Sequence, residues 1–363
     1  MKRAIITGAT GTIGMALTEY LSQRNVQVIA VVRENSRRKC QIQESDSVII
    51  VECGRADILE LPHKVRMAVR QKHWDENTAI DVFYHFAWEG TFGDSRNDLD
   101  LQNRNVKYAL YAVDAASDLD CNIFIGAGSQ AEYGRHDGIL NAEVPVFPEN
   151  GYGIAKLCAG QMTRIRCRQK GMKHIWLRIL SVYGPYDRSD TMVMSIIGKM
   201  LNGEKPSCTR GEQMWDYLYS KNVAKMMFLL GERGMSGKVY CLGSGEIKPL
   251  KEYIELIRNK IDASIKIGFG DIEYLPGQVM YLCADIQELV ADTGYEPDYT
   301  FEEGIQETIS WVKTQIAKKK GAAMHGISKS YAGGEYRKSD YTRTVVWKYK
   351  RHDLISLRKI SSA

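Results

Sequence analysis

The chain lacks the side-chain pairings from which metal and disulfide sites are usually built. Its eight cysteines (Cys40, Cys53, Cys121, Cys158, Cys167, Cys208, Cys241 and Cys283) include no CxxC pair, and its seven histidines show no HxxxH or HExxH spacing. A zinc enzyme is not expected, no metal site is predicted, and the cysteines read as reduced core residues. No apolar run approaches the roughly 20 residues of a membrane helix, so no membrane span is expected. No secretory signal precedes the strand-like segment Arg3 to Thr7, and the expected location is the cytoplasm. Internal repeats and long low-complexity linkers are also missing. What is present is enough to fold: 363 residues, 44% hydrophobic and 26% charged, suffice for one large domain and a smaller one.

Charge is uneven along the chain. From Lys318 to the end, 12 Lys or Arg face 3 Asp or Glu, a net +9, whereas the remainder has 37 against 41, a net −4. The Gly333-Gly334 pair and the interleaved Tyr341, Trp347 and Tyr349 suggest that this basic extension, residues 318–363, contacts an unknown partner or an anionic surface. No nucleic-acid partner is expected, and removal of residues after Lys320 is expected to leave turnover intact.

Through residue 180, short β-branched runs alternate with helical patterns. The runs are Ala4 to Thr7, Val26 to Val32, Val48 to Glu52, Ile80 to Tyr84, Cys121 to Ile125 and His174 to Ile179, with an amphipathic stretch at Asp98 to Ala116. Such alternation predicts an α/β fold, a Rossmann-type doubly wound parallel sheet. Beyond Val182, helices near Thr191 to Leu201, Lys221 to Leu230, Leu250 to Ile261 and Phe301 to Lys313 predict a smaller C-terminal α+β substrate domain. The expected division is residues 1–180, residues 181–317 with some chain crossing back, and residues 318–363.

Two motifs carry chemistry. Thr7-Gly8-Ala9-Thr10-Gly11-Thr12-Ile13-Gly14 joins the first strand to a helix. Glycines there let the backbone approach a pyrophosphate, which the helix N-terminus then stabilises. The second constellation is Ser129, Tyr152 and Lys156. Tyr and Lys four apart on a helix share a face, so the ammonium is expected to lower the phenol's pKa and make it a proton shuttle. Ser129, after the fifth strand, is placed to hydrogen-bond the same substrate oxygen.

These residues resemble the extended short-chain dehydrogenase/reductases, the NAD-dependent epimerase/dehydratase family. The resemblance extends from about Lys2 to Lys313. It includes the glycine turn, His85-Phe86-Ala87, Asn105, the Ser-Tyr-Lys set, the segment Leu177 to Pro185, Trp215-Asp216-Tyr217-Leu218-Tyr219, and Ala284-Asp285-Ile286 to Gly294-Tyr295-Glu296-Pro297. It implies a dinucleotide held by Gly8, Thr10, Gly11, Thr12, Ile13, Phe86, Ala87, Asn105, Tyr152 and Lys156. It further implies a nucleoside-diphosphate sugar substrate and a homodimer.

Departures from the family pattern refine the expectation. Ser129, Gln130 and Ala131 replace the Thr-Asp-Glu set of 4,6-dehydratases, so the acid that protonates a departing hydroxyl is missing. Arg33 ends the second strand where NAD-bound epimerases carry an acid, with Ser36, Arg37 and Arg38 following. Guanidinium groups at Arg33 and Arg37 suit a 2′-phosphate, so NADP(H) is the expected cofactor and NAD(H) the alternative. Gly54 and Trp215 also depart, from an Asp near the adenine and an Arg near the nucleotide. Trp88, Gln130 and Arg210 are candidates for the substrate site, with Lys199 and Lys205 as further diphosphate candidates. The segment Gln130 to Gly151 is expected to wall the sugar. The resulting expectation is an NAD(P)-dependent nucleotide-sugar 4-ketoreductase, with a 4-epimerase using bound NAD, or a non-catalytic NADP sensor, as alternatives.

Overall fold

A computed structural model describes the backbone of residues 1–330 and side chains as far as Lys318. The expectations for the basic extension from residue 319 onward therefore lie outside the described side chains. Met1–Gln315 form one compact unit, and the chain from Ile316 belongs to a second.

Seven strands build the main sheet: β1 (Arg3–Thr7), β2 (Gln27–Val32), β3 (Val48–Glu52), β4 (Val82–His85), β5 (Ile123–Ala127), β6 (Lys173–Ile179) and β7 (Val239–Leu242). Their order is β7-β6-β5-β4-β1-β2-β3, and every neighbouring pair is parallel. Helices α1 (Thr12–Ser22), α2 (Leu61–Gln71), α3 (Leu99–Asp118) and α4 (Gly151–Gln169) make four of the five connections among the first six strands; β2 and β3 are joined by a loop with a short 3-10 turn, Lys39–Gln41. Parallel strands buried on both faces read as near-continuous apolar runs, and β1 is buried at every position. Alternate residues feed two cores. Ala4, Ile6, Val28 and Ala30 meet Met15, Leu17 and Leu21 of α1 on one face. Ile5, Ile29, Phe83 and Phe124 meet Leu61 and Val65 of α2 and Ala112 and Val113 of α3 on the other.

The strand order reverses beside β1: the chain runs outward through β2 and β3, then returns to place β4 on the opposite side. This switch point opens a crevice at the carboxyl ends of the strands, where ligands of such sheets bind.

Beyond β6 come α5 (Met192–Leu201), α6 (Ser220–Arg233), α7 (Leu250–Ile261), α8 (Gln287–Thr293) and α9 (Phe301–Ser330). A small four-stranded sheet joins Lys248–Pro249, Met214–Trp215, Tyr281–Ala284 and Ile139–Leu140. Its last strand comes from the segment that precedes α4. That segment is therefore pinned to the C-terminal part, and within it the Tyr133 hydroxyl donates to the Asn141 carbonyl at 2.6 Å.

Candidate active site

The β1–α1 turn is shaped for close backbone approach. Gly8 has φ +72°, and a Cβ there would lie 2.9 Å from the Ala87 nitrogen. A Cβ at Gly14 would lie 2.5 Å from the Gly8 carbonyl oxygen, so helix and turn touch backbone to backbone. Thr7 ties this turn to the loop after β4: its hydroxyl lies 3.0 Å from His85 Nδ1 and accepts the Phe86 N–H at 3.2 Å. Gly11 caps α1 without a side-chain bond, and no acid stands in the first turn. The first N–H groups of α1 thus lack a side-chain acceptor of their own helix, the arrangement that suits an anion.

The segment after Gly184 lies against this turn. Thr12 donates to the Tyr186 carbonyl at 3.2 Å and lies 3.4 Å from Asp187 Oδ1. Arg38 is half-buried and donates to the same Tyr186 carbonyl. Arg33 and Arg37, by contrast, are exposed.

Tyr152 and Lys156 stand one turn apart at the start of α4. Asn150 caps that helix by accepting the Gly153 N–H at 2.9 Å, and the Gly151 N–H is held by Asn97 at 3.0 Å. The Tyr152 ring is buried against the Trp88 edge, at 6.3 Å between centroids, and beneath the Arg96 guanidinium at 4.6 Å. Burial pushes its phenol pKa up, opposed by the Ser129 hydroxyl and Arg96. Lys156 donates to the Ala127 carbonyl at 2.7 Å and lies 3.8 Å above the Trp88 ring. Burial lowers its pKa to about 7, with Glu132 acting in the opposite direction. The expected lowering of the phenol by Lys156 is therefore not what the structure produces: burial raises it, and the groups that oppose burial are Ser129 and Arg96, while the Lys156 nitrogen is 5.8 Å from the Tyr152 ring centre.

A glycine turn thus opens α1 at the switch point of a parallel sheet, beside a Ser-Tyr-Lys cluster. Residues 4–243 match the model of the NAD dependent epimerase/dehydratase family. The chain belongs to this family. Among curated relatives it is 24% identical to dTDP-glucose 4,6-dehydratase 1 of Escherichia coli K12, over 91% of this chain and 99% of that protein. It is 23% identical to the dTDP-4-dehydro-6-deoxyglucose reductase of Escherichia coli, over 85% and 97%. Among solved structures, the UDP-N-acetylglucosamine 4-epimerase of Methanobrevibacter ruminantium M1 superposes with a TM-score of 0.75 at 22% identity, covering 86% of this chain and 99% of that one. The UDP-glucuronic acid 4-epimerase of Bacillus cereus, in complex with NAD, gives 0.72 at 18% identity, covering 86% and 99%. These structures share the Rossmann-type fold.

In this family member, Trp88, Ser129, Tyr152 and Lys156 lie together. Asn105 is buried one layer back, where it brackets Glu89 by accepting its N–H at 3.3 Å and donating to its carbonyl at 2.9 Å. It thereby holds the loop that carries Phe86, Ala87 and Trp88. Gln130 is half-buried at the start of a short 3-10 turn. Arg210 is exposed, and Lys205 is ion-paired with Asp271 at 2.9 Å.

Two contacts around the site leave no local pattern in the sequence: Arg96 over the Tyr152 ring, and Arg38, beside the glycine turn, on the Tyr186 carbonyl. Glu132 did leave one, since a serine followed three residues later by glutamate has the spacing of a capping box, and the structure contains that box.

Proposed function

We propose that the protein is an NADPH-dependent reductase of a nucleoside-diphosphate 4-keto sugar. The observation that carries this reading is the assembly of Ser129, Tyr152 and Lys156 at the carboxyl edge of the sheet, beside a glycine turn with no room for a Cβ. The close backbone approach at Gly8 and the helix start at Gly11 fit a dinucleotide pyrophosphate, with Thr10, Thr12 and Ile13 completing the cradle and Phe86 and Ala87 its far wall. Bound NADPH would supply hydride. Arg33 and Arg37 are the groups available to a 2′-phosphate.

Within this reading Tyr152, which burial keeps protonated, gives its proton to the developing alkoxide, whose negative charge supplies the driving force for the transfer. Lys156 holds the nicotinamide ribose. Ser129 accepts the Ala131 N–H at 3.2 Å, which leaves its own proton free to donate to the sugar carbonyl. Trp88 and Gln130 border the sugar, and Arg210 is assigned to the diphosphate. A homodimer completes the reading, supported by an apolar stripe on the outer side of α4.

A 4-epimerase with bound NAD is the second reading, favoured by the exposure of Arg33 and Arg37, which lets them turn to solvent. The deciding experiment follows reduced-nicotinamide absorbance with NADPH and NADH against a panel of nucleotide 4-keto sugars, with 4-hydroxy sugars assayed for epimerisation. Turnover with NADPH that falls roughly 10²–10⁴-fold in Tyr152→Phe, with cofactor affinity unchanged, is the expected result. Epimerisation without net cofactor consumption moves the second reading to first place.

A further inference from the structure

Three glycines make a slot for one indole. A Cβ at Gly126 of β5 would lie 2.3 Å from the Trp176 ring, one at Gly128 would lie 2.4 Å from its nitrogen, and one at Gly160 of α4 would lie 2.7 Å from a ring carbon. Seated there, Trp176 of β6 donates its N–H to the Glu132 carboxylate at 3.0 Å. From the same strand, Arg178 donates its Nε–H to the other oxygen at 3.0 Å and covers the Tyr133 ring at 4.6 Å. The third donor is the Ser129 backbone N–H, at 2.8 Å. Glu132 is completely buried.

A buried ion pair of this kind is a poor source of stability, because apolar residues of similar volume serve packing at least as well. What the carboxylate adds is orientation. Three donors from different parts of the chain fix its plane, and the capping box passes that fixity to Ser129, held at its N–H by Glu132 and at its Oγ by the Ala131 N–H. The hydroxyl is left as a donor facing Tyr152.

We propose that Glu132, clamped by Trp176 and Arg178, is the positioning residue of Ser129, fixing its hydroxyl as the hydrogen-bond donor to the substrate oxygen. The inference rests on the role given above to Ser129. Neither the acid of a dehydratase nor a contact with substrate is involved, since the carboxylate is fully buried and each of its oxygens accepts from a protein donor.

The test is a double-mutant cycle of Glu132→Gln and Ser129→Ala, using the nucleotide sugar that the purified enzyme reduces. Loss of an oxyanion donor costs roughly 10²–10³-fold in kcat, so Ser129→Ala should fall on that scale. Glu132→Gln should lose about ten-fold or more of kcat with KM and cofactor affinity nearly unchanged, and should add little in the Ser129→Ala background. Amide hydrogen exchange, read without substrate, should be about ten-fold or more faster at Ser129 in Glu132→Gln, because a charge-assisted bond becomes a neutral one. Should that variant not fold, Trp176→Phe keeps a ring in the slot while removing one donor, and a lower kcat at unchanged KM is expected there. Wild-type kcat in either folded variant alongside a slow Ser129→Ala, or losses that simply add, overturns the positioning role. A Ser129→Ala enzyme as fast as wild type overturns instead the role of Ser129 itself.

Discussion

At Tyr152, Lys156, His85 and His174, desolvation shifts the pKa more than neighbouring charge does. Tyr152 and Lys156 are both biased toward neutrality, and two histidines carry the same effect further. His85 is held down to about 3 and His174 to about 4, in each case first by burial and then by nearby cations. For His174 the hydrogen bonds explain why. The Thr163 hydroxyl donates to the Ala159 carbonyl at 2.6 Å, so the His174 Nε2–H must donate to Thr163 at 3.0 Å. Its Nδ1 is then a buried lone pair with no partner, and a proton added there would have no acceptor. A folded pKa below the unfolded value near 6.5 means that the unfolded chain binds the proton first. Stability is therefore full above about pH 6.5 and declines as pH falls toward 4, by up to about 1.4 kcal/mol per pH unit for each such histidine. His174→Phe keeps the ring stacked between Phe124 and Trp176, at 6.1 and 6.2 Å, and leaves Thr163 bonded to Ala159. Its melting temperature should fall less steeply than that of wild type between pH 6.5 and 5. Parallel slopes would show that His174 is not a buried neutral group. None of this was visible in the sequence, where a lone histidine in an apolar strand has no detectable partner.

At the scale of elements, α4 serves two surfaces at once. Ala155, Ala159 and Gly160 are small enough to bring it against α3 and Trp176, while Lys156 and Tyr152 occupy its first turns. On the opposite side Ile154, Met162 and Ile165 are exposed, at 53%, 42% and 42%. Their spacing places them on one helical face, where an apolar stripe is a candidate interface. In the proposed homodimer this stripe meets its copy. Met162→Glu should then convert a dimer to a monomer in light scattering without unfolding the chain, and an unchanged mass would remove α4 from the interface. The buried face of α4 was partly legible, since Tyr152 and Lys156 show the four-residue spacing of one face. The small sheet was not, because three of its four strands are only two residues long, too short for any periodicity of their own, and one of them pairs across more than a hundred residues, Ile139 with Cys283.

The whole molecule follows from strand order. Six of the seven main strands show in the sequence as β-branched runs, within two residues of their ends, because a sheet buried on both faces must be apolar throughout. β7 lies far along the chain, in a stretch that reads like its surroundings, and only the structure places it beside β6. The reversal beside β1 brings the glycine turn, the loop after β4, Ser129 and the start of α4 to one edge. There, in the proposed function, bound NADPH would supply hydride, and Tyr152 gives the proton to the sugar oxygen. Isotope transfer tests this most directly. NADPH deuterated at its transferable position is supplied with a nucleotide 4-keto sugar, and the product is analysed by mass spectrometry. The prediction is one deuterium at the sugar C4 for each NADPH consumed; product formed without deuterium would contradict it.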